Sequence, residues 1–402
     1  MNIPGFLNRD DYLQIPILKR FLKEHNLNMS GNHADYINAI CEYADKDASN
    51  EEEVRKWLCT VAREGSKEIC FKKIQGIDSW HTDENLICEK FRELYPNCPM
   101  KDITRYRNTG ERVLSEYCFI TDNSGLVRRI DLTFSKLFLF GEVGKLGEAT
   151  AYPVFVRIYL DQGFIVTIAK AKSTLFQYDP NNAFLISEHR VNTIEYANEI
   201  MEELIRKLGL ETESKPKTVQ HQVSEMLYRL YEKYSFTPEE VEGLVKKQEG
   251  LVASFIDHLF SALSLDPRNK PLAHMDANIL VEKLISINGN NEEIFTEDRD
   301  AYLYKVTADD EQQMTKIDTS SNKTVPLQCT EAFFDSKKAV VKGQKCRKLN
   351  LVFKRTNSKY FPKSNQLTAQ FGTHKTYGYV KLTQYAEEAD ISNVLQAVFE
   401  NY

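Results

Sequence analysis

No run of about 18 apolar residues, the length that a membrane-spanning helix needs, occurs among the 402 positions of this sequence. The first residues, MNIPGFLNRDD, lack both the basic start and the apolar run of a secretory signal peptide. The composition, with 42% apolar and 27% charged residues, is that of a folded globular chain. We therefore expect a cytoplasmic protein that has no membrane partner.

Closely spaced metal ligands are also absent. The eight cysteines form no CxxC pair, and the eight histidines form neither HExxH nor HxH. Structural zinc sites need pairs of soft ligands at short spacing, and disulfide frameworks are typical of small secreted chains. The sequence therefore predicts reduced thiols, no bound metal and no cofactor.

Catalytic motifs are equally scarce. The segment GEVGKLG at 141–147 has two residues between its first glycine and Gly-Lys, where a phosphate-binding loop has four, and so it predicts a turn. A metal-dependent nuclease needs an acid on one strand and a Glu-x-Lys pair on the next. Asp131, Glu142 and Lys145 come nearest, but Glu142 and Lys145 would point to opposite faces of a regular strand. Lys170 and Lys172 alternate properly, with only Asp161 as an acid nearby.

The order of predicted elements indicates an α+β fold. Residues 14–64 have helical spacing, and the period changes from about residue 115. There, EYCFITDNSGLVRRIDLTF and YPVFVRIYLDQGFIVTIAKA each contain two apolar runs around a turn, which is typical of β-hairpins. Both faces of the second hairpin are apolar, so its strands should be central in a helix-covered sheet. We predict four parts: a helical module (1–75), a hairpin-rich α+β domain (76–212), a helical segment (219–290) and a basic, β-rich C-terminal domain (300–402).

One segment is strongly basic. From Ser336 to Lys381 there is no Asp or Glu but there are twelve Lys and Arg, so the remainder of the chain, whose total charge is −6, carries −6 − 12 = −18. Aromatic residues interleave with these cations, as in surfaces that hold phosphates and stack bases. The alternative is a solvated sheet face. The candidate nucleic-acid ligands here are Lys337, Lys338, Lys342, Lys345, Arg347, Lys348, Lys354, Arg355, Lys359 and Lys363.

The stretch ILKRFLKEHNLNMSGNHADYINAI, residues 17–40, predicts two short helices. Leu18, Phe21 and Leu22 form one apolar stripe, and a second stripe follows from Tyr36 to Ile40. Asn26 suits a left-handed corner after the first helix. Ser30 is the predicted cap of the second helix, whose free N–H groups would suit a phosphate.

This stretch resembles the SAP motif, a helix-extended-helix unit of chromatin and DNA-repair proteins. The matching positions are Leu18-Lys19, Leu22-Lys23, Leu27, Ser30-Gly31, Ala34, Asp35, Ile37 and Ile40. The sequence departs from the pattern at Asn26, where the family has glycine, and at His33 and Ala39, where it has basic residues. The resemblance implies DNA contacts from Lys19, Lys23, Ser30, Gly31 and His33.

Together these features predict a multi-domain DNA-binding protein that is not an enzyme by itself. By analogy with other proteins that carry SAP-like modules, it would be an accessory protein of DNA maintenance or of antiviral defence. Two alternatives stay open. One is a nuclease or nuclease subunit that uses Asp131, Glu142 and Lys145, and the other is an adaptor that binds a protein partner or forms a homo-oligomer.

Overall fold

The computed structural model describes residues 1–9, 11–105, 110–172, 174–178, 186, 190–289, 292–310, 315–355 and 358–402. It divides into two compact units. Unit 1 comprises Met1–Gln220, Arg355–Leu367 and His374–Phe399, and unit 2 comprises His221–Lys354, Thr368–Thr373 and Glu400–Tyr402. The predicted α+β class is confirmed. The two units interleave along the sequence, and the four consecutive parts stay a prediction.

Unit 1 begins with helices and continues as a sheet. Its elements up to residue 207 are α1 (Ile15–Glu24), α2 (His33–Ala44), α3 (Ala48–Arg63), β1 (Gly65–Lys73), α4 (Ser79–Thr82), α5 (Glu84–Leu94), β2 (Val113–Thr121), β3 (Val127–Phe140), β4 (Glu148–Tyr159), β5 (Phe164–Lys170), β6 (Leu175–Gln177) and α6 (Thr193–Lys207). The later elements of the chain are α7 (Pro216–Ser235), α8 (Glu239–Lys247), α9 (Glu249–Ala262), α10 (Lys270–Asn288), β7 (Ala301–Asp310), β8 (Thr315–Ser320), α11 (Glu331–Gly343), β9 (Lys348–Lys354), β10 (Gln366–His374), β11 (Tyr377–Ala386) and α12 (Glu388–Asn401). The last two of these, apart from the final residues of α12, belong to unit 1.

Both predicted hairpins are present. β2 pairs antiparallel with β3 around a turn in which Gly125 has a φ of +80°, and β4 pairs antiparallel with β5 around Gly163, whose φ is +68°. The Asp122 carboxylate accepts a 2.8 Å hydrogen bond from the Ser124 N–H and fixes the first turn. The GEVGKLG segment is the turn between β3 and β4, as predicted.

The sheet of unit 1 has the strand order β2-β3-β4-β5-β1-β11, with β6 added beside β3. One face is apolar and packs on α5 and α6 through residues such as Val156, Ile165 and Leu204, which are all buried. Because side chains alternate along a strand, the opposite face carries Asp131, Arg157 and their neighbours. On that face the Phe399 ring of α12 lies 4.6 Å from the Phe164 ring.

Unit 2 contains the helices α7 to α11 and the strands β7, β8 and β9. β7 pairs antiparallel with both β8 and β9, and the central residues of β10 lie beside β9. The Tyr234 ring of α7 packs 6.3 Å from the Phe353 ring of β9. Pro216, which the sequence places in a polar linker, begins α7 instead, since proline is well tolerated in the first turn of a helix.

Candidate nucleic-acid interface

The two short helices predicted at the N-terminus are present as α1 and α2. Leu18, Phe21 and Leu22 of α1 are buried, and Asn26 adopts the left-handed conformation with a φ of 54°. The backbone N–H of Leu27 donates to the Leu22 carbonyl at 2.8 Å and closes the end of α1. An extended corner without helix then leads to α2, so the geometry is helix-extended-helix.

The predicted cap of α2 is wrong. Asn32, not Ser30, caps the helix, because its side chain accepts from the N–H of Ala34 at 2.8 Å and of Asp35 at 3.2 Å. The Asp35 carboxylate accepts from the Asn32 N–H at 2.8 Å and completes a capping box. Ser30 donates to the Asn28 side chain instead. The start of α2 is therefore occupied by its own cap and a carboxylate, which is a poor seat for a phosphate.

The cap gives a direct test of this local structure. Asn32→Ala should lower the free energy of unfolding by about 1 kcal/mol, because two helix N–H groups lose their acceptor. Ser30→Ala is the matched control and should change it by less than about 0.5 kcal/mol, since Ser30 is an exposed loop residue. Urea unfolding followed by circular dichroism measures both. A larger loss from Ser30→Ala than from Asn32→Ala would contradict the cap assignment.

The remaining predicted contacts of the module divide into two groups. Lys19 and Lys23 are exposed on α1, and the Lys19 ammonium lies 5.7 Å from the Tyr36 ring centre. His33 is half-buried, with Nε2 2.8 Å from the Leu13 carbonyl oxygen, so its ring is turned toward the protein. Gly31 has a φ of +122° and lies against Asp35, so it shapes the corner. Lys19 and Lys23 are thus the accessible cations of the predicted set.

The basic segment is divided between the two units. Residues 336–354 belong to unit 2, and residues 355–367 belong to unit 1. Several cations neutralise acids from distant parts of the sequence: Lys337 pairs with Glu282 at 2.7 Å, Lys338 with Asp276 at 2.7 Å and Lys381 with Glu68 at 2.8 Å. Lys354 donates to the Thr296 carbonyl. Lys342, Lys345 and Arg347 also take part in interactions.

Arg355 is buried. Its Nη2 and Nε atoms donate to the two oxygens of Asp390 at 2.6 and 3.1 Å, and Nη2 also donates to the Tyr385 carbonyl. The side chain of Arg355 is only 3% exposed. The guanidinium therefore holds α12 against the loop before β10, and it is not available to a phosphate.

Two lysines of the segment lie in a loop of unit 1 that packs against Tyr385 of β11. Lys359 and Lys363 are exposed in the loop between β9 and β10. In that loop the Tyr360 ring lies 5.6 Å from the Tyr385 ring of β11, and the Tyr385 hydroxyl donates to the Glu64 carboxylate, just after α3, at 2.9 Å. Burial raises the pKa of Tyr360. Within the helical module, the Trp57 ring of α3 packs 4.5 Å from the Phe21 ring of α1. The cations of α1 and those of this loop thus belong to the same unit. The contact between Tyr385 and Glu64 has no local sequence signal, because the two residues are 321 positions apart.

The candidate nuclease residues are not brought together. Glu142 pairs with Lys145 in an exposed turn. Asp131 lies nine residues before the end of β3, so roughly 30 Å of strand separates it from the turn that carries Glu142 and Lys145. The Asp131 carboxylate accepts a hydrogen bond from Arg129 at 2.9 Å. Asp131 lines a small cavity of about 60 Å³ together with Arg63, Glu116, Thr133 and Arg157, among others. Within the described ranges, no group of three His, Cys, Asp or Glu side chains could hold a metal ion.

Lys170 and Lys172 have an anchoring role. Lys172 pairs with the Asp11 carboxylate, and Lys170 donates to the Asp11 carbonyl. The two ammonium groups lie 5.3 and 4.7 Å from the Tyr12 ring centre. Burial lowers the pKa of each lysine to about 8. These lysines therefore tie residues 11 and 12 to the end of β5.

No helix in the described part of the chain is both long and apolar enough to cross a membrane. Comparisons of this chain with protein-family models, with curated proteins and with solved structures find no match.

Proposed function

We propose that this chain binds nucleic acid, and duplex DNA in particular, through a surface of unit 1 formed by Lys19 and Lys23 of α1 and by Lys359 and Lys363 of the adjoining loop. The proposal carries no catalytic step. The observation that supports it is that all four lysines are exposed in unit 1, where the Tyr360 ring beside Lys359 packs 5.6 Å from Tyr385, whose hydroxyl donates to Glu64 at the end of the helical module. We call these four lysines the α1–loop surface.

The charge balance of the chain explains why a concentrated surface is needed. The sequence outside residues 336–381 carries a formal charge of −18, which repels a polyanion at long range. Salt screens charges that lie farther from the bound DNA than about one Debye length, about 8 to 10 Å, so the charges close to the contact decide the binding. Four exposed lysines on one surface can then neutralise phosphates and release counterions. With three to four phosphates neutralised, log affinity should fall with log salt at a slope of about −3.

Paired substitutions test the surface. Lys359→Ala/Lys363→Ala should weaken binding at least about 10-fold and flatten the salt slope by about 2, because each lysine contributes about one phosphate contact. The matched control is Lys348→Ala/Lys375→Ala, which removes two exposed lysines of the same basic segment. Lys375 lies in the β10–β11 turn, just before the start of β11, whereas Tyr385 is near the other end of that strand. Fluorescence anisotropy with labelled duplex DNA, single-stranded DNA and RNA is the measurement.

Three outcomes count against the proposal. The first is the absence of binding to all three nucleic acids at low salt. The second is equal weakening by both pairs of substitutions, which would show a diffuse electrostatic attraction without a defined surface. The third is cleavage of a plasmid with Mg²⁺ or Mn²⁺ that disappears in Asp131→Ala, which would favour the nuclease alternative.

A further inference from the structure

The helices α9 and α10 of unit 2 carry apolar residues on two sides. Toward each other they bury Val252, Ile256 and Phe260 of α9 against Ala273, Ala277 and Val281 of α10. A second set of large apolar side chains on and beside these helices is exposed, with exposed fractions of 37% to 69%. This set, which we call the α9–α10 apolar face, consists of Leu251, Phe255, Leu259, Leu263, Leu265, Leu272, Met275, Leu280 and Leu284.

Helical geometry places five of these residues, two of them on α10, on one side of the helix pair. On α9, the exposed positions 251, 255 and 259 each precede a buried position by one residue, which is a rotation of 100°. On α10, positions 272 and 280 precede the partly buried positions 273 and 281, which pack on α9, in the same way. The two helices run antiparallel, since Lys270 at the start of α10 pairs with Asp257 of α9 at 2.5 Å and lies 6.0 Å from the Phe260 ring centre. In antiparallel neighbours the same rotation turns both stripes toward the same side.

The exposed area matches one half of a stable interface. An unfolded chain exposes roughly 1.45 Å² per dalton, and this value multiplied by residue mass and exposed fraction gives roughly 800 Å² for the nine residues. A standard protein–protein interface buries about 800 Å² on each partner. Isolated exposed apolar residues are ordinary on protein surfaces, whereas a contiguous patch of this size marks an association site.

The charges around the face favour a second copy of the same chain. From Gly250 to Leu265 the only Asp, Glu, Lys or Arg is Asp257, which Lys270 neutralises. On α10, Asp276 pairs with Lys338 of α11 at 2.7 Å. Two copies related by a two-fold axis therefore bring apolar surface onto apolar surface and meet no like-charge repulsion. A partner selected by charge would require a field of one sign on this face, and the two acids are already paired within the chain.

We propose that two copies of this protein associate through the α9–α10 apolar face, each contributing the same pair of helices to a four-helix contact. The interface is isologous, so each residue of one copy meets the same face on the other. It involves none of the lysines of the α1–loop surface, and it stands independently of nucleic-acid binding.

Sedimentation equilibrium of the full chain tests the association. We expect the wild-type protein at micromolar concentration to have twice the chain mass of 46.5 kDa. Phe255→Glu/Leu280→Glu should yield a monomer, with a dissociation constant raised at least about 100-fold, because two charges would be buried at the centre of the contact. Both side chains are more than half exposed, so far-UV circular dichroism and the unfolding midpoint should remain as in the wild type.

The matched control is Leu146→Glu, which places the same charge on a leucine that is 76% exposed in the β3–β4 turn of unit 1, and it should remain dimeric. Hydrogen exchange of the wild type should show that residues 251–263 and 272–284 become protected as concentration rises. A monomeric wild type, or a dimer that survives Phe255→Glu/Leu280→Glu, would overturn the proposal.

Discussion

Arg355→Ala should lower the free energy of unfolding by about 3 to 5 kcal/mol, the cost of removing one partner from a buried ion pair. Arg355 is 3% exposed and Asp390 is 15% exposed at the side chain. Without the guanidinium, the Asp390 carboxylate stays inside unit 1 without its cation and keeps the hydrogen bond from the Glu387 N–H, 2.8 Å away. The Tyr385 carbonyl and the Ser364 hydroxyl also lose a donor.

Two further variants separate the ion pair from the general effect of charge. Lys359→Ala removes an exposed cation four positions away and should change the free energy of unfolding by less than about 0.5 kcal/mol. Arg355→Lys keeps the charge but loses the two-pronged contact with Asp390, and so it should lie between the wild type and Arg355→Ala. Urea unfolding is the measurement, and equal losses from Arg355→Ala and Lys359→Ala would refute the buried pair.

Arg355 and Lys359 illustrate what the sequence could not separate. Both lie in a run without acids, and both look like surface cations in the sequence. Arg355 is buried because Asp390, which comes 35 residues later, folds back onto it with α12. Burial of a cation depends on a partner that is remote in sequence, so composition alone identifies a basic segment but not its accessible members.

Local structure was much more predictable. The hairpins β2–β3 and β4–β5 follow from apolar runs around turns that end in glycine, and the corner after α1 follows from Asn26. These features depend on neighbouring residues only. The pairing of β1 with β11, in which Gly65 lies opposite Ala386, joins the two ends of the sequence. Neither strand carries a signal of its partner, so the division into interleaved units could not be predicted.

The α9–α10 apolar face did have a sequence signal. Leucine or phenylalanine recurs every four residues from Leu251 to Leu263, and a second apolar series at 252, 256 and 260 runs beside it. One such series predicts a helix packed on one side, whereas two adjacent series predict a helix covered on two sides. In unit 2, α10 packs on the series 252, 256 and 260, whereas the series from Leu251 to Leu263 is exposed.

Glu64 should make the protein less stable as the pH rises from about 4.5 to about 7. The residue is 3% exposed at the end of α3, and burial raises the pKa of its carboxyl from 4.5 to about 7, against hydrogen bonds from the Tyr385 hydroxyl and the Glu388 N–H that lower it. Below pH 4.5 both the folded and the unfolded chain hold the proton. Between the two pKa values only the folded chain holds it, so the unfolded chain gains stability as the pH rises.

The expected loss follows from the size of that window. Each pKa unit corresponds to 1.36 kcal/mol, so the 2.5 units between 4.5 and 7 amount to about 3 kcal/mol. Glu64→Gln keeps the shape and an acceptor for Tyr385 but cannot ionise. The free energy of unfolding of this variant, relative to wild type, should therefore increase by about 3 kcal/mol between pH 4.5 and about pH 8.

Urea unfolding of both proteins across this pH range measures the difference, with Glu89→Gln, which removes an exposed carboxylate from α5, as the matched control. Comparison of each variant with wild type at the same pH cancels the titration of every other group. The sign is diagnostic, because a carboxylate stabilised by an ion pair would make the variant relatively less stable as the pH rises. A relative stability of Glu64→Gln that stays constant, or that matches Glu89→Gln, would show that Glu64 is not held as a buried neutral acid beneath Tyr385.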